Sequence, residues 1–139
     1  DLHSFPTRRS SDLVLISFDE VNAFDRANYQ NLTPRPTLGI VSGLHELFAD
    51  NDLIQESLMG FGDAIESGGY LIYTGQPWHP QLEMIARALT SHKAGSPDWV
   101  MRRRSQQEMD QLVAKAGFRK IHQWIDEYGI FTVSLAVKA

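Results

Sequence analysis

Short apolar segments alternate with helical patterns along this chain, and the last two apolar segments follow one another directly. Continuous apolar runs at 37–42 and 70–74 are typical of strands that are buried in a parallel sheet. Between them, residues 51–66 carry apolar side chains at spacings of 4, 3 and 4, the pattern of one helical face. These positions are Ile54, Leu58, Phe61 and Ile65. The alternation predicts parallel strands that are joined by helical crossovers.

The end of the chain predicts a different pairing of strands. Residues 120–126 and 130–137 both have strand patterns, and the short link at Tyr128-Gly129 requires them to lie antiparallel. In the second segment, large apolar residues alternate with smaller or polar ones, which is typical of a strand. These residues are Phe131, Val133, Leu135 and Val137. The predicted fold class is therefore α/β, with parallel strands and a terminal antiparallel hairpin.

Local signals define the remaining elements. Residues 14–21 are mostly apolar or β-prone and predict a strand, after which the carboxylate of Asp25 can cap a short helix reaching about residue 32. A further helix is predicted over 80–89, with a proline in its first turn. Ser105 and Glu108 have the spacing of a capping box, so another helix is expected to begin there.

Composition excludes several classes of protein. The chain has 139 residues, of which 42% are hydrophobic, a content that suits a packed core and not a disordered chain. It contains no cysteine, which excludes disulfides, thiol catalysis and zinc–thiolate sites, and which fits a reducing compartment. The net charge of −4 argues against a general nucleic-acid binder, and no apolar run is long enough to span a bilayer. We expect a cytoplasmic protein with a small-molecule substrate.

The first thirteen residues, DLHSFPTRRSSDL, follow none of these patterns. They lack an initiator methionine and the apolar core of a signal peptide. Reverse translation of the whole run matches a common sequencing-library adapter. We therefore expect residues 1–13 to be a disordered artefact, and residues 14–139 to be the C-terminal portion of a domain whose beginning lies upstream.

Three loops are candidates for a ligand site, because ligands of open α/β sheets bind beyond the carboxyl ends of the strands. These loops cover residues 22–24, 42–46 and 75–79. Asn22 can hydrogen-bond to the edge of a heterocycle, Phe24 can stack on it, and Gly43 lets a ligand approach the backbone. Turn formation and core packing explain the same residues equally well.

Familiar catalytic motifs are missing from the sequence. It has no glycine-rich phosphate loop after a first strand, no Gly-x-Ser-x-Gly elbow and no His-x-x-x-His pair, so no metal site is predicted. Trp78 and His79 can shape a pocket, although a helix-entry turn explains them as well. The arginines at 102–104 can bind an anion, but a solvated run before a capped helix is the favoured interpretation.

Four blocks of the sequence resemble one family. They cover residues 41–52, 68–80, 101–109 and 126–134, and the middle block, GGYLIYTGQPWHP, is the most specific. Together they resemble a family of class I S-adenosylmethionine-dependent methyltransferases, some of which carry an α/β-hydrolase domain in front of the methyltransferase. The resemblance extends over 14–139, and it implies the C-terminal part of a Rossmann-like sheet of seven strands whose last two form an antiparallel hairpin.

The resemblance also implies which residues bind the cofactor S-adenosylmethionine. In this family, residues 14–21 correspond to the third strand of the sheet. Asn22, Ala23 and Phe24 then occupy the positions that bind the adenine, and Asn22 replaces the more usual aspartate. Ser42, Gly43 and Leu44 follow the fourth strand and line the methionine end of the cofactor and the substrate. Glu46 or His79 is the expected proton acceptor if the methyl acceptor is a hydroxyl or an amine.

The same resemblance shows what this chain does not contain. The glycine-rich loop of the first strand and the acidic residue that ends the second strand are expected upstream of residue 14, so the isolated fragment is expected to bind the cofactor poorly. Two other interpretations remain: a fragment of a nicotinamide-dependent oxidoreductase, and a Rossmann-like binding module without activity. The methyl acceptor cannot be identified from the sequence; a hydrolase fusion hints at lipid or ester metabolism only by analogy.

Overall fold

Four strands form one sheet in the part of the chain that the computed structural model describes, residues 16–88 and 102–139. They are β1 (Leu38–Val41), β2 (Tyr70–Gly75), β3 (Phe118–Ile125) and β4 (Thr132–Lys138), in the spatial order β1-β2-β4-β3. β1 and β2 pair in parallel, whereas β4 pairs antiparallel with both β2 and β3. The predicted α/β class with a terminal antiparallel hairpin is confirmed.

In the described part of the chain, three α-helices and two short 3₁₀ turns accompany the sheet. The helices are α1 (Asn51–Ala64), α2 (Leu82–Ala88) and α3 (Gln106–Lys115), and the turns are Arg26–Tyr29 and His45–Leu47. No helix among residues 16–88 and 102–139 has the length and apolar character that a membrane crossing needs. The last residue of the predicted helix over 80–89, like residues 1–13, lies outside the described residues.

Side-chain caps determine where the helical segments begin. The Ser105 hydroxyl accepts a hydrogen bond from the Glu108 amide at 3.1 Å, so the predicted cap of α3 is confirmed. The Glu108 side chain instead bonds to Asn51 of α1, at 2.8 Å. Asp25 also caps as predicted, by accepting from the Ala27 amide at 2.9 Å, but the segment is a single 3₁₀ turn rather than a helix reaching residue 32.

The core lies between one face of the sheet and the helices α1 and α3. The helical face predicted for α1 is correct, because Ile54, Leu58 and Ile65 are almost fully buried and Phe61 packs against the same cluster. The other members come from the strands and from α3. They are Val41, Leu71, Tyr73, Met109, Leu112, Val113, Ala116, Phe118 and Ala136.

The predicted first strand is wrong for the residues that can be compared. Residues 16–21 have no regular secondary structure, and their apolar side chains are exposed, with Phe18 at 91%. A strand forms only where a neighbouring strand supplies hydrogen bonds, and no strand of the described sheet pairs with this segment. Its β-prone composition alone therefore does not produce a strand.

The burial of β4 is opposite to the sequence pattern. Thr132, Ser134 and Ala136 face the core, whereas Phe131 and Val133 are 48% and 38% exposed. Small side chains occupy the covered face because α3 approaches it closely: the Gln106 side chain of α3 accepts a hydrogen bond from Thr132 at 3.1 Å.

The predicted burial of β1 is also only half correct. Val41 is buried, but Leu38 and Ile40 are 46% and 60% exposed, so this strand is covered on one face and not on both. Since α1 and α3 pack on the side of the sheet that holds the core, the exposed apolar residues of β1 and β4 belong to the opposite side. A continuous apolar run in the sequence does not reveal this difference.

Candidate functional site

The loops that follow β1 and β2 meet at one edge of the sheet, as parallel pairing requires. The amide of Gly43 donates to the Thr74 hydroxyl at 2.8 Å, and that hydroxyl donates to Oε1 of Glu46 at 2.8 Å. The start of α3 closes the third side of a pocket of about 300 Å³, including its open mouth. Its lining residues are His45, Glu46, Thr74, Gly75, Gln76, Pro77, Arg102, Arg104, Ser105, Gln106 and Met109.

Two buried side chains of this pocket each have one polar atom without a partner. Glu46 is 9% exposed and His45 is 3% exposed. Among the described residues, neither Oε2 of Glu46 nor Nδ1 of His45 has a hydrogen-bond partner. A buried polar atom without a partner costs about 1–3 kcal/mol, so two side chains with such atoms that line one pocket mark a place where a ligand with polar groups would be stabilised.

The protonation of His45 follows from its surroundings. Burial, and to a lesser extent the positive charge of Arg104, lowers the pKa of the His45 imidazole to about 4. The ring is therefore neutral at neutral pH, and one of its nitrogens carries a lone pair that can accept a proton or a hydrogen bond.

Arg104 holds the loop after β1 in place. Its guanidinium donates to the carbonyl oxygens of His45 at 2.8 Å, Phe48 at 2.9 Å and Ala49 at 3.3 Å, and to the side chain of Asn51 at 2.7 Å. The residue is only 7% exposed. The interpretation of this arginine as part of a solvated run is wrong, because its planar fork satisfies a cluster of backbone acceptors.

The two neighbouring arginines have partners nearer the surface. Arg102 forms an ion pair with Glu108 at 2.5 Å, and Arg103 donates to the Gln76 side chain at 2.7 Å. Gln76 belongs to the loop after β2, so all three arginines connect the start of α3 to this edge of the sheet.

The loop of residues 22–24 lies beside the loop after β1. The ring of Phe24 packs edge-on against Phe48, with centroids 4.5 Å apart. Asn22 uses Oδ1 to accept from the Phe24 amide at 3.0 Å, and the carbonyl of Ala23 accepts from the Tyr29 hydroxyl at 2.7 Å. The aromatic contact thus holds the predicted loop 22–24 against the segment that directly follows the predicted loop 42–46.

The remaining predicted residues differ in accessibility. Ser42 and Gly43 are exposed, and Gly43 has a positive φ of 68° with open space beside its Cα. Leu44 instead packs against the core cluster. His79 does not line the pocket, and its Nδ1 accepts the Gln81 amide at 3.0 Å, while Trp78 beside it is 54% exposed.

Sequence reasoning missed the polar residues that support the site from within the fold. Ser57 is fully buried on α1, and its hydroxyl lies 3.1 Å from Nε2 of His45 and 3.4 Å from the Tyr29 hydroxyl. The available signal was a serine next to Leu58 on the apolar face of a helix, since a buried hydroxyl needs a partner. No local signal identified Arg104, whose partners lie more than fifty residues away.

Comparisons with known proteins indicate the family of this chain. A family model described as "Putative methyltransferase" matches residues 8–138. The "Uncharacterized protein YnbC" of Escherichia coli (strain K12) is 63% identical over 123 residues, which are 88% of this chain and 21% of that protein. The chain therefore spans about a fifth of the length of this curated relative.

Solved structures show the same fold at low sequence identity. An O-methyltransferase family protein from Burkholderia thailandensis has a TM-score of 0.64 at 13% identity, over 88% of this chain and 36% of that one. A SAM-dependent methyltransferase from Methanosarcina mazei has a TM-score of 0.62 at 15% identity, over 85% and 65% of the two chains. Since the family model matches nearly the whole sequence, the chain belongs to this methyltransferase family.

Proposed function

We propose that the protein transfers a methyl group from S-adenosylmethionine to a hydroxyl or amine of a small molecule, and that residues 14–139 are the C-terminal portion of its methyltransferase domain. Membership of the methyltransferase family supports the reaction type. The Oε2 atom of Glu46, which has no partner among the described residues, carries the assignment of the acceptor, because a ligand that satisfies it must offer a hydrogen-bond donor.

The residues present are proposed to hold part of the cofactor. Asn22, Ala23 and Phe24 are proposed to hold the adenine, and the open space beside Gly43 leaves room for a ligand against the backbone. Ser42 and Leu44 flank that position and are proposed to line the methionine end. When bound, S-adenosylmethionine supplies an electrophilic methyl group on its sulfonium sulfur.

The pocket residues are proposed to act on the methyl acceptor. Oε2 of Glu46 accepts a hydrogen bond from the hydroxyl or amine, orients it, and takes its proton as the new bond to carbon forms. Thr74 donates to the other oxygen of the carboxylate and so aims the free oxygen. His79, the second base that the sequence suggested, is a weaker candidate because its Nδ1 already accepts a backbone amide.

The isolated chain is proposed to bind S-adenosylmethionine poorly. It spans 21% of the E. coli relative and 36% of the human N-acetylserotonin methyltransferase whose structure was solved with SAM. That structure superposes with a TM-score of 0.59 at 15% identity, over 94% of this chain. The glycine-rich loop and the acidic residue that the family resemblance places upstream of residue 14 are expected to supply the remaining contacts to the methionine and ribose groups.

Calorimetry tests the proposal about binding. We expect the longer E. coli relative to bind S-adenosylmethionine with a dissociation constant in the micromolar range, and the 139-residue chain to bind at least about tenfold more weakly, a loss of about 1.4 kcal/mol. Low-micromolar binding by the 139-residue chain would contradict the proposal that its site is incomplete.

Radiolabelled methyl transfer tests the reaction. The longer E. coli relative is incubated with [methyl-³H]S-adenosylmethionine in three separate reactions, which contain a phenol, a primary alcohol or a primary amine. Glu46→Gln is expected to lower kcat by about 10²-fold or more, because general-base catalysis contributes roughly 10²–10⁴-fold. Glu127→Gln, in an exposed turn of the hairpin, is the control. Transfer to none of the three compounds by a protein that binds the cofactor would count against this acceptor class.

A further inference from the structure

A line of hydrogen bonds runs from the pocket residue His45 to the loop of residues 22–24. Nε2 of His45 lies 3.1 Å from the Ser57 hydroxyl, which lies 3.4 Å from the hydroxyl of Tyr29. The Tyr29 hydroxyl in turn donates to the carbonyl oxygen of Ala23 at 2.7 Å. Ser57 is fully buried and Tyr29 is partly buried, so bulk water does not supply alternative partners to the central hydroxyl.

The protons of this line can be assigned one after another. A carbonyl oxygen only accepts, so the single proton of Tyr29 is used on Ala23, and the Tyr29 oxygen can only accept from Ser57. Ser57 then has no proton left for His45, and its oxygen must accept from Nε2–H. A neutral imidazole carries one proton, so Nδ1 of His45 is left with a free lone pair.

We propose that Ser57 and Tyr29 are positioning residues that hold His45 in its Nε2–H tautomer, so that Nδ1 accepts a hydrogen bond from a second donor of the methyl acceptor while Glu46 takes the reacting proton. This inference deepens the proposed function and rests on it. Nδ1 is the ring nitrogen without a partner among the described residues, so in this tautomer its lone pair is free for a ligand. The low pKa of His45, about 4, keeps the ring neutral and the lone pair available at neutral pH.

The two ends of this line of hydrogen bonds belong to different parts of the proposed site. Ala23 belongs to the loop proposed to hold the adenine, and His45 belongs to the pocket proposed to hold the methyl acceptor. One set of hydrogen bonds therefore links the two halves of the proposed site. A displacement of the Ala23 carbonyl would release the Tyr29 proton and allow the His45 tautomer to change.

Nitrogen NMR of the ¹⁵N-labelled 139-residue chain tests the tautomer directly, without any requirement for activity. We expect Nε2 of His45 to resonate as a protonated ring nitrogen, and Nδ1 as an unprotonated one, at pH 7. His79 is an internal reference, because its Nδ1 accepts from the Gln81 amide and its tautomer is set independently. A protonated Nδ1 in His45 of the unsubstituted chain would overturn the proposal.

Substitutions test the two positioning residues separately. Tyr29→Phe removes the acceptor of the Ser57 proton, so Ser57 becomes free to donate to Nε2, and the His45 signals are expected to shift toward the Nδ1–H tautomer. Ser57→Ala removes the constraint and is expected to give a mixture of both tautomers. Tyr128→Phe, at an exposed tyrosine, is the matched control and leaves the signals unchanged. Unchanged His45 signals in both folded variants would refute the positioning role.

Kinetic measurements on the longer E. coli relative distinguish a failure of this inference from a failure of the proposed function. Ser57→Ala is expected to lower kcat by about two- to tenfold, because only part of a tautomer mixture keeps a free lone pair on Nδ1, and to leave the KM for S-adenosylmethionine within about twofold. A correct tautomer without methyl transfer would refute the proposed function alone. Methyl transfer with unchanged kcat in Ser57→Ala would refute the role of this residue alone.

Discussion

The guanidinium of Arg104 donates to the carbonyl oxygen of His45 at 2.8 Å, which connects the residue before the cap of α3 to the loop that follows β1. The same side chain reaches the carbonyl oxygens of Phe48 and Ala49. Hydrogen bonds from a charged donor each contribute about 1.5–3 kcal/mol, and carbonyls left without a donor add a cost. The shape of this loop thus depends on one buried arginine.

Arg104→Lys is therefore expected to lower the free energy of unfolding by about 2–4 kcal/mol, because an ammonium group cannot reproduce the fork that reaches several acceptors. Urea denaturation followed by tryptophan fluorescence measures the change. Arg119→Lys, at an exposed position on β3, is expected to stay within about 0.5 kcal/mol of the original chain. Equal stability of both variants would contradict the role assigned to Arg104.

The pH dependence of stability reports on His45. Its pKa is about 4 in the folded protein and 6.5 for an unperturbed histidine, so the unfolded chain binds the proton more readily. The contribution of His45 to the free energy of unfolding is fully present above pH 6.5. It decreases as the pH falls from 6.5 to 4, and it changes no further below pH 4. The total loss is about 3 kcal/mol. The difference in unfolding free energy between pH 7.5 and 4.5 should be much smaller in His45→Gln; equal differences would be inconsistent with a buried neutral histidine.

Close packing between α1 and the end of α3 predicts the effect of an alanine at Gly62. A Cβ atom there would lie 2.4 Å from the carbonyl oxygen of Ala116, too close for any real contact. Gly62→Ala is expected to be destabilising, because overpacking costs about 1–3 kcal/mol and helix propensity returns only about 1 kcal/mol. Thermal unfolding tests this, with Glu56→Ala at an exposed position of α1 as the control. A higher melting temperature for Gly62→Ala would show that the backbones are farther apart.

The cap of α3 gives a prediction of smaller size. Ser105→Ala removes the acceptor for the Glu108 amide and is expected to cost about 1 kcal/mol of stability. Ser105→Asp retains a side-chain oxygen, so its free energy of unfolding should fall by only a few tenths of about 1 kcal/mol. Chemical denaturation of the two variants measures both values, and an alanine variant as stable as the aspartate variant would argue against the cap.

Much of the fold was predictable from local sequence signals. The spacing of Ile54, Leu58 and Ile65 predicted the buried face of α1, and Ser105 predicted the start of α3. Tyr128-Gly129 predicted the hairpin of β3 and β4. These predictions succeeded because each signal acts between residues that are close in the chain.

The predictions that failed concern contacts between distant segments. Residues 16–21 have the composition of a strand but no strand of the described sheet beside them. Ile40 lies in an apolar run that predicted a buried strand, but its side chain is 60% exposed on the uncovered face of the sheet. Composition sets what a segment is able to form, and neighbouring elements decide whether it forms and which face is covered.

The sequence by itself determined the α/β order of elements, the terminal hairpin, the resemblance to a methyltransferase family and the loops in which a ligand site would lie. Only the tertiary structure decided that Arg104 is buried, that Glu46 and His45 share a pocket, and that Ser57 and Tyr29 bond in line with His45. The physical reason is that hydrogen bonding and desolvation depend on distances in space, which packing sets between residues far apart in the chain.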